Sequence, residues 1–332
     1  MAFAISTNLK RQISVASIVV GIGVATVFVQ ARNFDPLKPL LVLSISGNSI
    51  GSDRVLVCTL PNCHFHEWHE SIWEKMADSR RVVGISGSST SQPLLADVRA
   101  LTNKGSKKSA AWVDVRGRIS QNSSEFSGDH VRWDHVSHTV LSPDRCFVAF
   151  TYQDPPEIKA PLVEVLDRCK NQLVYASRPP SGSWDASPVW SQTSSSLLYT
   201  RVSVTKQGLL ASIKKYDLKS KVEGTIISNG EFVARAAFTG NGEQLVAFGP
   251  GGLALYEDGH PKRILCPLTC FDNHVYEAGG IAFSRSLQTA YIPFSDEAGG
   301  TILYSVSLLN KSLKSIPVGD ALAVRETVVL DQ

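Results

Sequence analysis

The chain has 332 residues, 43% of them hydrophobic and 19% charged. That composition excludes a disordered chain, and the length allows two ordinary domains or one large repeat fold. Lys and Arg number 33 against 30 Asp and Glu, a formal charge of +3 with no long basic stripe, which argues against nucleic-acid binding. In chain order the first feature is Lys10-Arg11, followed by an uncharged apolar run from Ile13 to Val29. As a helix rising ~1.5 Å per residue this run covers about 26 Å, close to the ~30 Å hydrocarbon core of a bilayer. Two readings stand. One is a signal peptide cleaved after Ala31; the other is an uncleaved anchor, which the length of the run favours. A core helix is disfavoured because no polar stripe interrupts the run at helical spacing. Under either reading residues 1–31 are a targeting segment, Lys10 and Arg11 stay inside, and 32–332 are exported and extracytoplasmic.

All six cysteines lie beyond that segment. An even count in an exported chain favours disulfides over free thiols. Their order suggests three local pairs, Cys58 with Cys63, Cys146 with Cys169 and Cys266 with Cys270, among about 15 possible connectivities. The alternative is that several are small buried hydrophobes.

After the targeting segment, Leu40 to Ile45 and Val55 to Cys58 read as strands. The densest cluster of ligand-type side chains follows, from Cys58 to Glu70. Cys63, His64, His66 and His69 are its candidate zinc or copper ligands. His66-Glu67-Trp68-His69 is one residue short of the spacing that puts two zinc-binding histidines on one helix face. Cys58 with Cys63-His64 is a widened form of a haem-attachment array, without the usual spacing. A surface loop stapled by Cys58 and Cys63 explains the cluster better, so no metal and no cofactor is expected. Trp68, Ile72, Trp73 and Met76 share one face of a short helix. Arg81 to Ile85, Leu94 to Val98 and Ser109 to Val115 read as three further strands, and Arg116 to Arg132 as an insertion.

From residue 140 the chain repeats. Ser142, Ser191, Thr239 and Ser284 each follow a bulky residue, at separations of 49, 48 and 45. Six and eight residues after each stand two apolar side chains: Val148 and Phe150, Leu197 and Tyr199, Leu245 and Ala247, Ala290 and Ile292. A two-residue period puts each pair on one face of a strand. Three copies add a second hairpin: Leu162–Leu166 with Leu173–Ala176, Leu253–Tyr256 with Arg263–Leu265, and Thr301–Val306 with Leu313–Ile316. A period in the forties made of strands points to one four-stranded propeller blade per repeat.

The blocks Ser142-Pro143-Asp144-Arg145-Cys146-Phe147-Val148-Ala149-Phe150 and Pro188-Val189-Trp190-Ser191 resemble the blade signature of TolB-like, WD-repeat-like β-propellers. In that family an aromatic-Ser-Pro-Asp-Gly turn opens each blade. Here the first copy lacks the Gly, and the second has Gln192-Thr193-Ser194 after its Ser. The resemblance covers residues 133 to 318 and implies an all-β propeller. Four clear blades, one diverged blade and one shared between the termini make six, with five or seven as alternatives. In that count Val324 to Leu330 pairs with the N-terminal strands and hides the open edges.

No Gly-x-Ser-x-Gly nucleophile elbow and no phosphate-binding glycine loop is present. Trp190, just before the repeat's Ser, is a packing residue between blades. Trp184 falls in an interblade loop and is the candidate contact for a partner. The resemblance implies a non-catalytic platform that holds a protein or peptide partner at one end of the ring; with the apolar run at 13–29 as a membrane tether, the expected partner belongs to a membrane or envelope complex. The competing class is a lactonase-like or lyase-like enzyme, or a metal site, at the channel. Convergent His, Asp and Glu there would favour the enzyme; an apolar or patchy rim would favour the platform.

The register of one hairpin can also be read. A turn centred near residue 157 sets Cys146 opposite Cys169 on adjacent strands, within disulfide reach.

Overall fold

Alternating apolar residues give strands, and strands need partners. The computed structural model describes residues 38–46, 54–67, 80–89, 91–102, 105–114, 119–122, 136–152, 162–230, 235–239, 244–249, 251–271, 275–276, 280–295, 300–319 and 323–331. The apolar run at 13–29, the helix expected at 68–76, His69 and the side chain of His66 lie outside them.

All strand pairing between named strands is antiparallel. β1 (Leu40–Ser46), β2 (Arg54–Thr59) and β3 (His66–Glu67) form the first sheet. The second holds β4 (Arg80–Ser86), β5 (Leu94–Thr102), β6 (Gly105–Val113) and β7 (Ile119–Asn122). The third is β8 (Val136–Leu141), β9 (Phe147–Tyr152), β10 (Val163–Asp167) and β11 (Gln172–Ala176). The fourth is β12 (Ser183–Trp190), β13 (Ser196–Thr205), β14 (Gly208–Asp217) and β15 (Val222–Gly230). The fifth is β16 (Arg235–Thr239), β17 (Gln244–Gly249), β18 (Gly252–Glu257) and β19 (His260–Cys266). The last is β20 (Val275–Tyr276), β21 (Ala282–Ser284), β22 (Thr289–Ser295), β23 (Thr301–Ser307) and β24 (Leu313–Gly319). The final strand, β25 (Ala323–Leu330), returns to β1 and completes the first sheet.

Five of these sheets are four-stranded blades. The expectation of six four-stranded blades needs correction at the last sheet, which has five strands: β20 and β21 both pair with β22, at opposite ends of it. A second correction concerns residues 116–132, expected as an insertion. They contain β7, the fourth strand of its sheet, which is too polar (Ile119-Ser120-Gln121-Asn122) to show an apolar alternation.

The repeat has a physical origin in the turn. Ser142, Ser191, Thr239 and Ser284 are all buried, and each hydroxyl is bonded within its own turn. Ser142 Oγ accepts the amide of Phe147 at 2.9 Å, and Ser191 Oγ accepts that of Ser196 at 3.0 Å. The backbone closes the same two turns, from Ser142 N to Phe147 O and from Ser191 N to Ser196 O. Arg145 and Ser194 occupy the place where the family's turn carries Gly. Both adopt left-handed φ, 64° and 57°, so the turn survives the loss of its glycine at a cost in backbone strain. All eight apolar residues at the plus-six and plus-eight positions are buried.

Apolar cores lie between sheets. Trp112 and Leu95 meet Phe150 and Leu141; Ala149 and Val165 meet Trp190 and Leu197; Leu198 and Ile213 meet Ala236 and Phe238. Phe248 and Phe271 pack edge-to-face at 5.5 Å, and Phe294 of the next sheet stacks on Phe271 at 4.6 Å. Tyr291 and Leu303 then meet Leu43 and Val324 of the first sheet.

β25 and β1 are in register from Leu40 opposite Leu330 to Ser46 opposite Ala323, with one irregularity at Ser44/Ile45. Just past β25, Asp331 accepts hydrogen bonds from Ser284 Oγ (2.8 Å), Ser286 Oγ (2.9 Å) and the Arg285 amide (2.8 Å). A parallel bridge joins Asp331 to Ser89 of the second sheet. One residue therefore links three sheets. Replacing Asp331 with Ala should cost about 2 kcal/mol, typical of lost hydrogen bonds to a charged group, and urea unfolding would show a lower midpoint with the slope unchanged.

Candidate functional site: the axial channel

The inner strands converge on a cavity of about 330 Å³. β8, β12, β16, β21 and β25 line it, together with Ser86 of β4 and the turn that follows it. Its wall is mostly small, hydroxyl-bearing or apolar. Among the described residues its ionisable side chains are Arg235, Arg285 and Asp331. Both carboxylate oxygens of Asp331 accept hydrogen bonds from the three donors named above, two at Oδ1 and one at Oδ2. Burial lowers the pKa of the Arg285 guanidinium, and the Asp331 charge opposes that shift. Arg235 belongs to the other end of β16 and packs over Gly280, whose φ of +84° leaves room where a side chain would press on the guanidinium.

Trp190 is buried beside this channel. Its Nε1 donates to Val140 O at 2.9 Å, and its ring lies 5.9 Å from that of Phe147. Trp184 requires a correction: it is the second residue of β12, paired with Val202 and half-buried, not in an interblade loop. The preceding Pro-Pro-Ser-Gly stretch masks the start of that strand in the sequence.

The candidate metal cluster does not assemble among the described residues. Cys63 is bonded to Cys58 and so presents no thiolate, and His64 is exposed. No group of three or more His, Cys, Asp or Glu converges there or elsewhere among the described residues. Cys266 and Cys270 form a second disulfide. Cys146 and Cys169 are free thiols, the Cys169 thiol donating to Cys146 Sγ at 3.6 Å. The hairpin register is one residue from the expected one: Phe147 pairs with Asp167, and the Arg168 amide donates to Cys146 O. Cys146 thus faces Arg168 on the neighbouring strand.

Sequence reading missed a charged cluster within the fourth sheet, to which Tyr175 ties the third sheet. Arg201 grips Asp185 with two bonds, Nε to Oδ1 at 2.7 Å and Nη2 to Oδ2 at 2.8 Å, and reaches Glu223 Oε1 at 3.2 Å. Asp185 is fully buried. Tyr175 of the third sheet donates to Glu223 Oε2 at 2.7 Å and accepts from Tyr199 at 2.8 Å, while its ring stacks on Tyr216 at 3.8 Å. The signal was present: Arg201 ends the apolar run Leu197-Leu198-Tyr199, and the β12–β13 register brings Asp185 opposite it. A bulge at Ala186/Val189 hides that register from sequence counting.

No family model and no curated protein matches the chain. Solved structures do. TolB from Acinetobacter baumannii superposes with a TM-score of 0.58 at 14% identity, over 90% of this chain and 68% of that one. The fold is that of a TolB-like β-propeller. Propeller enzymes are also similar to the chain. An oligogalacturonate lyase in complex with manganese aligns over 77% of this chain and 72% of its own, at 13% identity and a TM-score of 0.49. A puromycin-hydrolyzing peptidase of Mycobacterium tuberculosis aligns over 86% and 45%, at 12% and 0.49.

Burial pushes the Glu223 carboxyl up, but the Tyr175 and Tyr199 hydroxyls and the Arg201 and Lys214 charges outweigh it and hold its pKa below the usual range. A depressed folded pKa contributes stability above the unfolded value of ~4.3 and loses it as pH falls through the folded value. Wild-type stability should therefore decline in that acid window, and Glu223→Gln should decline less steeply. Urea midpoints measured from pH 7 down to pH 3 check this.

Proposed function

We propose that the chain is an exported, non-catalytic propeller that holds a protein partner of a membrane or envelope complex at its axial channel. Residues 1–31 are the targeting segment in this reading, with 13–29 tethering the propeller 32–332 to the membrane. The single observation that carries it is the state of Asp331. It is the one carboxylate lining the channel among the described residues, and ring closure occupies both its oxygens. A hydrolytic or lyase site needs convergent titratable groups with unoccupied atoms. A wall of hydroxyls, apolar side chains and the Arg285 guanidinium suits a polypeptide segment, whose carbonyls and carboxylates it can bond. Two disulfides, Cys58–Cys63 and Cys266–Cys270, support an oxidising compartment.

A photo-crosslinking amino acid at Gln192, on the channel wall, should yield a discrete protein adduct when the full chain is irradiated in its own cells. The same probe at Leu309, an exposed residue away from the channel wall, should not. Absence of any adduct from the channel position, or equal labelling from both, would overturn the reading. Alkylation without reduction checks the compartment: Cys58, Cys63, Cys266 and Cys270 should all be protected in protein taken from cells.

A further inference from the structure

The geometry points to Cys146 and Cys169 as an exchangeable dithiol–disulfide pair, a site for thiol–disulfide exchange with low-molecular-weight or protein disulfides. The three cysteine pairs are not equivalent. Cys58 is fully buried and Cys266 2% exposed; both belong to inter-sheet cores, and their partners Cys63 and Cys270 pack against the same cores. Cys146 and Cys169 belong to none of these clusters. They sit where β9 begins and just past the end of β10, with Cys169 exposed in the turn and Cys146 half-buried behind it.

The one-residue register offset explains why the pair is poised. Cys146 faces Arg168, so Cys169 lies beyond the last paired position, in a turn whose side chain is not held by the ladder. The sulfurs are already in contact at 3.6 Å, and a side-chain rotation separates contact from bond. The Cys169 thiol beside it, burial and the Asp144 carboxylate all raise the Cys146 pKa. The exposed Cys169 is therefore the group that meets an incoming disulfide, and Cys146 the one that resolves it.

The chemistry balances. Cys169, losing its proton, attacks one sulfur of a disulfide RSSR, which leaves a mixed disulfide and releases RSH. Cys146 then attacks the Cys169 sulfur, loses its proton and expels a second RSH. Two thiols are oxidised to the Cys146–Cys169 bond and one external disulfide is reduced to two thiols. The residues preceding the two cysteines give the bond a structural neighbour. The guanidinium carbons of Arg145 and Arg168 lie 4.5 and 4.6 Å from the Trp112 ring of the second sheet, so the pair is continuous with a contact between sheets. The proposal is independent of whether a protein occupies the channel.

Full-length protein equilibrated in graded glutathione/glutathione-disulfide buffers, then alkylated and digested with trypsin, tests it. A peptide joining residues 146–159 to 169–170 should appear in the oxidising buffers. It should disappear in buffers that leave Cys58–Cys63 and Cys266–Cys270 intact. Cys146→Ser should trap glutathione on Cys169, whereas Cys169→Ser should leave Cys146 unglutathionylated. Free alkylation of both cysteines in every buffer would overturn the proposal. So would a Cys146–Cys169 bond as resistant to reduction as the other two, which would make it a structural staple, and so would trapping on Cys146 in place of Cys169.

Discussion

No sheet in this protein can bury its own faces. Each is one layer of strands with apolar side chains on both sides, and the described cores lie between neighbouring sheets. A single blade taken alone would expose what its neighbours cover. The constraint passes from sheet to sheet, and ends must meet ends. The β1–β25 pairing meets it by making one sheet from both ends of the propeller. Open edges, which would otherwise invite pairing with other chains, are replaced by backbone hydrogen bonds within one molecule. Asp331 extends the closure sideways, to the turn after β21 and to Ser89.

Closure also shapes the site. The turns that define the repeat sit at one end of the inner strands, and their buried hydroxyls and amides bond across sheets as well as within them. The Leu141 amide donates to Ser86 Oγ at 2.6 Å, and the Asp144 amide to Ser194 Oγ at 3.0 Å. Polar groups near the channel are thus largely engaged in holding sheets together.

Blade contacts farther out use different chemistry at each interface. Between the second and third sheets two guanidinium groups lie against Trp112; between the third and fourth, Tyr175 bonds Glu223 and Tyr199 and stacks on Tyr216, beside the Arg201 bridge to Asp185 and Glu223 within the fourth sheet. A buried ion pair is costly to form and costlier to break on one side, because the survivor keeps its desolvation penalty. The bidentate geometry and the extra hydrogen bonds to Glu223 and Tyr199 are what make the burial of Asp185 tolerable. The third sheet meets this cluster through Tyr175, whose hydroxyl bonds Glu223 and Tyr199.

The sequence by itself determined the strands and turns of the repeat, because each depends on residues within ten positions of one another, and its period, because that local pattern recurs. Val148 with Phe150 and Leu197 with Tyr199 alternate on one strand, and Ser142 and Ser191 close their own turns. It was silent where a strand carries few apolar residues, as in Ile119–Asn122, and off by one where a register depends on how the turn and strand ends are set, as at Cys146. It missed the Asp185–Arg201–Glu223 cluster because a bulge hides the β12–β13 register, and it missed Tyr175, 48 residues before Glu223, because that contact forms only when two sheets pack. Only the tertiary structure decided that Asp331 bonds the turn after β21 and that Arg285 lines the channel. Those facts rest on contacts between sheets, and such contacts are set by closure of the whole ring and not by any local pattern.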